Sequence, residues 1–399
     1  MDAGALRVVA DDLTGACDIA AALLPWPGGI LVEAYATRVA PPGHALRVRN
    51  TQSRTLPEAG ARTAVERAVG TVGRDAIVLK KIDTALRGHL GAELDAAVAA
   101  AGAAEAFVLP AIPRVGRTTV GGVQRIDGVP VHETTFARDP LHPIRDSSVA
   151  AHLTRGCGRR VASLSLADVR SERGLGPAVD RGRGAGCSLF VCDAESDDDL
   201  ERAVGALLAR PRPLVVVGSL GLGVALRRRL GVPAGEPQRE TRRGGGTGRL
   251  VVVGSTHPMA RQQARVVAGD RAVLEVDDAT HADEIAVRAE AALRGGGTVV
   301  LATPAVVAAG AARGLLEAMA RTAAACLRRH VPAVLALVGG ETAFGVLQAA
   351  EQPWIRIEAT PAPLVVAGTL LGGTLDGVLL VTKGGSSGAP DTLRCVLGT

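Results

Sequence analysis

The sequence predicts an α/β protein made of two doubly wound, mostly parallel α/β domains facing each other across a cleft. The chain has 399 residues, which is longer than one hydrophobic core usually grows. Short, almost continuous apolar runs, typical of strands buried on both faces, alternate with helical stretches rich in Ala, Arg and Glu. Residues 231–248, rich in Gly, Pro and charge, interrupt this alternation. We therefore expect a first domain over 1–232, a linker over 233–248 and a second domain over 249–399.

The elements follow one another along the chain in a strand–helix rhythm. The apolar runs predict strands at 6–10, 76–79, 106–109, 189–192, 214–217, 250–253, 299–302, 333–338 and 378–381. The helical stretches between them include 63–69, 92–101, 200–208 and 282–293. One long segment, 112–148, shows little apolar periodicity and is predicted to be an irregular loop that binds something polar. In open α/β sheets ligands bind at the carboxyl ends of the strands, so the residues directly after each run are the site candidates.

Composition argues against several classes of function. Aromatic residues make up only 2% of the chain and the arginines are dispersed, so nucleic-acid binding is not expected despite a pI near 9.1. No apolar run approaches the length of a membrane span and no signal pattern opens the chain, so we expect a cytoplasmic protein without membrane contact. The six cysteines and eight histidines lack disulfide or zinc spacing. A homo-oligomer and the identity of any metal ligands are left open.

Lysine is rare in this chain. Of the 45 basic residues, only Lys80, Lys81 and Lys383 are lysines. Arginine and lysine replace each other on a solvated surface, but not where a compact ammonium must meet a phosphate or carboxylate oxygen. All three lysines lie at predicted strand ends, which makes them candidates for anion binding. Chance placement is the alternative.

Charged side chains follow two strands of the first half. Asp11 and Asp12 follow the first strand and could hold a sugar hydroxyl or a hydrated Mg²⁺, or accept a proton. The alternative is that Asp12 only caps the next helix. Lys81, Asp83 and Arg87 follow the second strand. Lys81 and Arg87 suit the carboxylate of an acidic substrate and Asp83 suits its hydroxyl, with a surface ion-pair cluster as the alternative.

Glycine-rich segments follow three strands of the second half. They contain Gly254-Ser255, Gly339-Gly340-Glu341-Thr342 and Lys383-Gly384-Gly385. Backbone N–H groups at such helix starts can cradle phosphate, so we expect a nucleotide-phosphate pocket here. No G-x-x-x-x-G-K-[ST] motif is present, which argues against a P-loop enzyme. The glycine spacing at 218–223 matches the dinucleotide fingerprint poorly, which leaves an NAD-linked oxidoreductase as a weak alternative.

Five motifs taken together resemble those of the four-carbon acid sugar kinase family, long catalogued as a domain of unknown function. They are Ala-Asp-Asp-Leu-Thr-Gly-Ala at 10–16, Lys-Lys-Ile-Asp-x-x-Leu-Arg-Gly at 80–88, Pro-x-x-Gly-Arg-Thr-Thr at 113–119, Glu-Thr-x-Phe-Ala-x-Asp-Pro at 133–140 and Gly-Gly-Glu-Thr-Ala at 339–343. The resemblance implies an N-terminal domain that binds a tetronate or a 3-oxo-tetronate, a C-terminal domain that binds ATP, and phosphorylation of the terminal hydroxyl. It also implies roles for two sets of residues. Asp12, Lys81, Asp83, Arg87 and Arg117 would face the acid, and Ser255, Gly339, Gly340, Glu341, Thr342 and Gly385 would face the nucleotide.

The resulting hypothesis is an ATP- and Mg²⁺-dependent kinase of a small sugar acid. Lys81 and Arg87 would orient the carboxylate, while Lys383, glycine-loop amides and Mg²⁺ would hold the triphosphate. Either Asp83 or Asp12 would accept the proton of the attacked hydroxyl. The alternative is a catalytically impaired sugar-acid- and nucleotide-binding protein of the same fold. It is motivated by Ser386-Ser387, which stand where the family tends to have phenylalanine in the last glycine loop.

Overall fold

The protein divides into two compact units. The computed structural model describes residues 6–36, 41, 46–139, 142–232, 246–278, 280–304, 307 and 310–399. One unit comprises Met1–Gly28 with Ala45–Gly235, and the other comprises Gly29–His44 with Glu236–Thr399. Of the expected linker 233–248, residues 233–245 lie outside the described residues.

The first unit is built on a parallel sheet with helices between its strands. The elements up to residue 232 are, in chain order, β1 (Leu6–Ala10), α1 (Leu13–Ala22), β2 (Ile30–Glu33), β3 (Leu46–Asn50), α2 (Glu58–Val69), β4 (Ile77–Lys81), α3 (Leu90–Ala101), β5 (Ala106–Leu109), β6 (Arg117–Val120), β7 (Val123–Ile126), β8 (Val129–Pro130), α4 (Val149–Thr154), β9 (Arg160–Leu164), α5 (Leu166–Val169), α6 (Gly176–Gly184), β10 (Cys187–Cys192), α7 (Asp197–Leu208), β11 (Leu214–Gly218) and α8 (Leu220–Arg229). The strands of this unit's main sheet lie in the order β3-β1-β4-β11-β5-β10-β9.

The register of this sheet aligns the ends of its central strands. Ala10, the last residue of β1, lies opposite Asn50 of β3 and Lys81 of β4. Gly218, the last residue of β11, also lies opposite Lys81. Because the strands are parallel, the segments that follow them begin at the same edge of the sheet. The fully buried β4 and β11 anchor that edge in the hydrophobic core.

A small antiparallel sheet, β6-β7-β8, occupies part of the segment predicted to be an irregular loop. That prediction is wrong for residues 117–130. The strands have at most four residues, too few to show a clear period, and a two-glycine turn joins the first pair. Both turn residues, Gly121 and Gly122, have positive φ, and the carboxylate of Asp193 accepts hydrogen bonds from their N–H groups at 2.7 and 2.9 Å. Asp193 follows β10, so this contact ties the small sheet to the main sheet of its unit.

The second unit has a mixed sheet that is parallel over most of its width. Its further elements are β12 (Arg249–Val253), α9 (Pro258–Ala268), β13 (Leu274–Glu275), α10 (Ala282–Arg294), β14 (Thr298–Ala302), α11 (Ala312–Arg329), β15 (Val334–Val338), α12 (Gly340–Ala349), β16 (Trp354–Ala362), β17 (Val365–Leu371), β18 (Leu379–Lys383) and α13 (Thr392–Leu397). The strands lie in the order β13-β14-β12-β15-β18-β17-β16-β2. The first five strands of this order, from β13 to β18, pair in parallel. The other three, β17, β16 and β2, pair antiparallel with their neighbours.

Strand β2 departs from the expected domain plan. The expected first domain ran without a break to residue 232, but β2 pairs with β16, placing Glu33 opposite Trp354. All four residues of β2 are buried. The sequence of a buried apolar strand of this length does not predict which sheet it joins, because its pairing depends on partners far away in sequence.

The α/β prediction is confirmed. Every predicted strand is present, with ends that shift by no more than two residues. The apolar runs were readable because these strands are buried on both faces. All six cysteines are free thiols. In the ranges that the structure describes, no helix combines the length and the apolar character that crossing a bilayer demands.

Candidate active site

A buried arginine organises the carboxylates at the end of β1. Arg54 lies in a short 3-10 turn after β3, and 5% of its surface is exposed. Its Nε and Nη2 donate to Oδ2 of Asp11 at 3.0 and 2.9 Å, and its Nη1 donates to Oδ2 of Asp12 at 2.9 Å. Burial acts to raise the pKa of Asp11, but the positive charges of Arg54 and of neighbouring lysines hold it below its ordinary value.

Asp12 also caps the N-terminus of α1, the alternative role that the sequence had suggested for it. Its Oδ1 accepts a hydrogen bond from the Gly15 N–H at 2.9 Å. A Cβ added at Gly15 would lie 2.4 Å from that Oδ1 and 3.2 Å from Nζ of Lys81. Glycine at this position therefore lets the Lys81 ammonium approach the start of α1. Lys81 is 4% exposed and donates from Nζ to the Ile82 carbonyl at 2.7 Å.

The lysine pair at the end of β4 divides between two roles. Consecutive strand residues point to opposite faces of a sheet. Lys80 Nζ lies 2.7 Å from Oε2 of Glu93 on α3, and both side chains are almost fully buried. It also donates to the Lys81 carbonyl at 3.0 Å. Lys80 is thus engaged in a buried ion pair, and Lys81 is the lysine that faces the start of α1.

Asp83 and Arg87 bind each other closely. Arg87 Nε donates to Oδ2 of Asp83 at 2.7 Å, and Nη2 donates to Oδ1 at 3.2 Å. Its Nη1 donates to Oδ2 of Asp139 at 3.0 Å, and its guanidinium lies 5.1 Å from the centre of the Phe136 ring. Although burial acts to raise the pKa of Asp83, the charge of Arg87 holds it far below its usual range. The Arg87 guanidinium therefore already pairs with two carboxylates of the protein. The sequence had led us to expect that it would pair with the carboxylate of a substrate.

Arg117 reaches this region from the small antiparallel sheet. It is the first residue of β6, and its Nη1 donates to Oγ1 of the buried Thr84. Burial lowers its pKa, and nearby Asp83 acts against that shift. Because Thr84 and Asp83 follow β4 directly, the segment after β4 and the small sheet meet here.

Three buried oxygen atoms near the start of α1 have no hydrogen-bond partner within the described part of the chain. They are Oδ1 of Asp11, Oγ1 of Thr14 and Oδ1 of Asp18. Thr14 and Asp18 are four residues apart and lie on one face of the helix. Burial raises the pKa of Asp18 to about 7, against the opposing charge of Lys81. These oxygens are able to accept hydrogen bonds from hydroxyl groups of a ligand.

Sequence reasoning missed two of these residues. Arg54 was missed because β3 reads Leu-Arg-Val-Arg-Asn, which alternates apolar and charged residues and was not recognised as a strand. The polar segment after it was therefore never considered. Asp18 lies two residues beyond the first motif, 10–16, and a single aspartate one turn into a helix has no distinctive spacing that would assign it a role.

In the second unit, glycines and hydroxyl side chains fit against each other at one edge of the sheet. Val338 of β15 lies opposite both Val253 of β12 and Lys383 of β18, so the segments after these three strands begin together. A Cβ at Gly385 would lie 2.0 Å from Oγ of Ser255, and one at Gly254 would lie 2.0 Å from Oγ1 of Thr342. Only glycine permits these contacts.

This edge gathers the residues predicted to bind nucleotide. Gly339 has φ +108° and directly precedes α12, whose first turn contains Gly340, Glu341 and the buried Thr342. Lys383 is fully buried at the end of β18 and donates from Nζ to the Gly384 carbonyl at 2.7 Å. Burial lowers the pKa of this ammonium to about 8. The N-terminus of α12, glycine amides and a lysine thus lie at one edge of the sheet, and groups of these kinds can bind phosphate.

Within the described ranges, the carboxylates and histidines are not clustered as metal ligands. Among the residues with described positions, no group of three or more His, Cys, Asp or Glu side chains is arranged to hold a metal ion.

Comparison with known proteins identifies the family. The model of a sugar-binding N-terminal domain matches residues 6–226, and that of a nucleotide-binding C-terminal domain matches residues 250–393. The D-threonate kinase of Bordetella bronchiseptica is 33% identical, with 97% of this chain and 95% of the relative aligned. The chain belongs to the four-carbon acid sugar kinase family.

Other members of the four-carbon acid sugar kinase family are similar along nearly the whole chain. The D-erythronate kinase of Heliobacterium modesticaldum is 28% identical, covering 96% of this chain and 94% of the relative. The 3-oxo-tetronate kinase of Methylobacterium radiotolerans is 31% identical, covering 91% and 95%. A solved structure from Salmonella typhimurium LT2 has a TM-score of 0.75 at 22% identity, covering 98% of both chains, and shows the same fold.

Proposed function

We propose that this protein is an ATP-dependent kinase that phosphorylates a hydroxyl of a four-carbon sugar acid, such as a tetronate or a 3-oxo-tetronate. The observation that carries this proposal is the group of side chains at the carboxyl edge of the first unit's sheet. Among the described residues, Lys81 and Arg117 keep N–H donors that no partner takes up, and they lie there beside carboxylate and hydroxyl oxygen atoms without partners. A hydroxylated carboxylic acid presents the complementary groups. The kinases named above for D-threonate, D-erythronate and 3-oxo-tetronate act on ligands of this class.

We assign the substrate carboxylate to Lys81 and Arg117. An ammonium has three N–H donors, and Lys81 uses one of them for the Ile82 carbonyl. Arg117 has five, with one bond to Thr84. Arg87, in contrast, directs Nε and both terminal nitrogens at Asp83 and Asp139. Arg87 therefore fixes the position of the Asp83 carboxylate at the edge of the site. Asp11 and Asp12 remain candidates for contact with hydroxyl groups, held in place by Arg54.

On the nucleotide side we assign the triphosphate to Lys383 and to the amides around Gly339, Gly340 and Gly385. Ser255, Glu341 and Thr342 complete this site. Phosphoryl transfer depends on alignment and on neutralising negative charge, which these groups supply. Mg²⁺ bound by phosphate oxygens and water needs few protein ligands, and Glu341 is the carboxylate that the first turn of α12 offers it. When bound, the ion would neutralise charge on the phosphates. ATP is supplied in the cytoplasm, which we propose as the location of the enzyme.

Measuring ADP release tests this function. The purified protein is incubated with ATP, Mg²⁺ and D-threonate, D-erythronate or a 3-oxo-tetronate, and we expect turnover with at least one of them. Lys81→Met should raise the KM for the acid by about 10- to 100-fold, because a hydrogen bond to a charged group contributes about 1.5–3 kcal/mol. Arg74→Met, which removes an exposed cation from the same unit, is the matched control.

Two results would contradict the proposal. Absence of turnover with every acid, while calorimetry detects acid and ATP binding, would instead support a binding protein that has lost catalysis. A Lys81→Met variant with the same KM as Arg74→Met would refute the assignment of the carboxylate.

A further inference from the structure

Asp83 and Asp12, the two candidate proton acceptors, already accept hydrogen bonds on both of their carboxylate oxygens. Oδ1 of Asp83 accepts from Arg87 Nη2, and Oδ2 accepts from Nε and from the Arg87 backbone N–H. Asp12 accepts from Gly15 N–H on one oxygen and from Arg54 on the other. Arg87 holds the pKa of Asp83 far below its usual range, so Asp83 is a weak base. Both carboxylate oxygens of Asp12 are already engaged as acceptors.

Asp18 differs from both in its surroundings. It is half-buried on α1, and in the described part of the chain its Oδ1 is buried without a hydrogen-bond partner. The charged groups that act on it are Lys81 at the end of β4, Asp12 at the start of α1, Arg117 on β6 and Arg54 after β3. Two of these, Lys81 and Arg117, are the cations that we assign to the substrate carboxylate. An acid bound by them would bring its hydroxyl groups close to Asp18.

We propose that Asp18 is the catalytic base, an inference that rests on the proposed kinase function. The substrate hydroxyl gives its proton to the Asp18 carboxylate as its oxygen forms a bond to the γ-phosphorus. The bond from that phosphorus to the β,γ-bridging oxygen breaks, and ADP leaves with the electron pair. Asp18 then releases the proton to water. Thr14 lies one turn earlier on the same face, and its hydroxyl, which has no partner among the residues whose positions are described, can orient the substrate by hydrogen bonding. A pKa near neutrality, caused by burial, suits Asp18 to this exchange.

The test compares Asp18→Asn with the wild-type protein and with Asp198→Asn. Asp198 is an exposed aspartate in the first turn of α7, so its variant controls for the loss of one carboxylate. We expect Asp18→Asn to lower kcat by about 10²- to 10⁴-fold, the usual effect of removing a general base. The dissociation constant of the acid, measured by calorimetry, should change by less than about fivefold, because Lys81 and Arg117 remain. The wild-type kcat/KM should rise with pH to a plateau above about pH 7, and Asp18→Asn should lose this rise.

A second variant keeps the test decisive if the asparagine variant folds poorly. Asp18→Ala leaves a gap that formate can enter, and added formate should raise its rate several-fold. Formate should leave the rate of Asp198→Asn unchanged.

The outcomes separate the two proposals. Wild-type turnover, combined with an Asp18→Asn rate within about tenfold of wild type and an unchanged pH profile, would overturn the role of Asp18 and leave the kinase function standing. Absence of turnover by the wild-type protein with every acid would overturn the kinase function and the role of Asp18 together. Lost turnover accompanied by an equal loss of acid binding would mark Asp18 as a binding residue and overturn its role as base.

Discussion

Replacing Asp18 by asparagine should stabilise the folded protein at alkaline pH. Burial raises the pKa of this carboxyl from 3.8 to about 7 in the folded state. Its contribution to stability is therefore fully present at a pH below the unfolded pKa and is lost as the pH rises through the folded pKa. Asparagine has a similar shape and does not ionise, so the variant should not suffer this loss.

The size of the effect follows from the shift in pKa. About three units, at about 1.4 kcal/mol for each, give an upper limit of about 4 kcal/mol at alkaline pH. Between about pH 5 and about pH 8, the free energy of unfolding of Asp18→Asn should increase relative to wild type by up to about 3 kcal/mol. Contributions of Asp11, Asp83 and the other carboxylates are common to both proteins and largely cancel in this comparison.

Urea denaturation of both proteins across this pH range measures the difference. Asp198→Asn, whose carboxylate is exposed, should differ from wild type by an amount that barely changes with pH. A pH-independent difference for Asp18→Asn, or a variant less stable than wild type at alkaline pH, would show that Asp18 is a paired carboxylate. Either result would refute the reasoning about its surroundings, whatever the catalytic rates.

Three further predictions test the other interactions. Lys80→Met should destabilise the protein by about 3–5 kcal/mol because it leaves Glu93 buried without its partner, and Lys80→Met combined with Glu93→Leu should recover most of that loss in denaturation experiments; equal destabilisation by the single and double variants would contradict this. Lys383→Met should weaken ATP binding by at least about tenfold in calorimetry, and wild-type affinity should fall above about pH 8 as this ammonium deprotonates; unchanged affinity would remove Lys383 from the site. Gly385→Ala should raise the KM for ATP by about tenfold or more, because its Cβ would overlap a serine hydroxyl, whereas Gly314→Ala, in open space on α11, should not; equal values for the two variants would refute the close contact.

The strands that sequence could predict are those whose two faces are both buried. β1, β4 and β12 read as apolar runs because all their positions are buried except Arg7 and Arg249, which are partly exposed. β3 alternates apolar and charged residues, and its arginines are at least partly exposed while its other residues are buried. β16 is buried at its first residues, Trp354 and Ile355, and exposed at Thr360 and Pro361 near its other end. Neither strand gives a continuous apolar run, so neither was recognised.

The site was predictable in residue type but not in pairing. The sequence placed Asp12, Lys81, Asp83 and Arg87 at the candidate site because they follow strands, and parallel strands end at a common edge. Whether they bind the substrate stays a prediction. The partner of each residue depends on which segments meet in space. Arg87 is held by Asp139, which lies far along the chain. Sequence spacing contains no information on such distant pairings, and it therefore could not separate engaged side chains from available ones.

Strand β2 has a consequence for how this protein is made. Ile30–Glu33 leaves the ribosome long before its partner Trp354–Ala362 is synthesised. The second unit is thus completed only near the end of translation. Until then, β2 has been synthesised but lacks the strand with which it pairs. A gene fragment starting after residue 245 would produce a polypeptide without this strand. Its nine-residue β16 would then expose unpaired backbone groups, which invites aggregation.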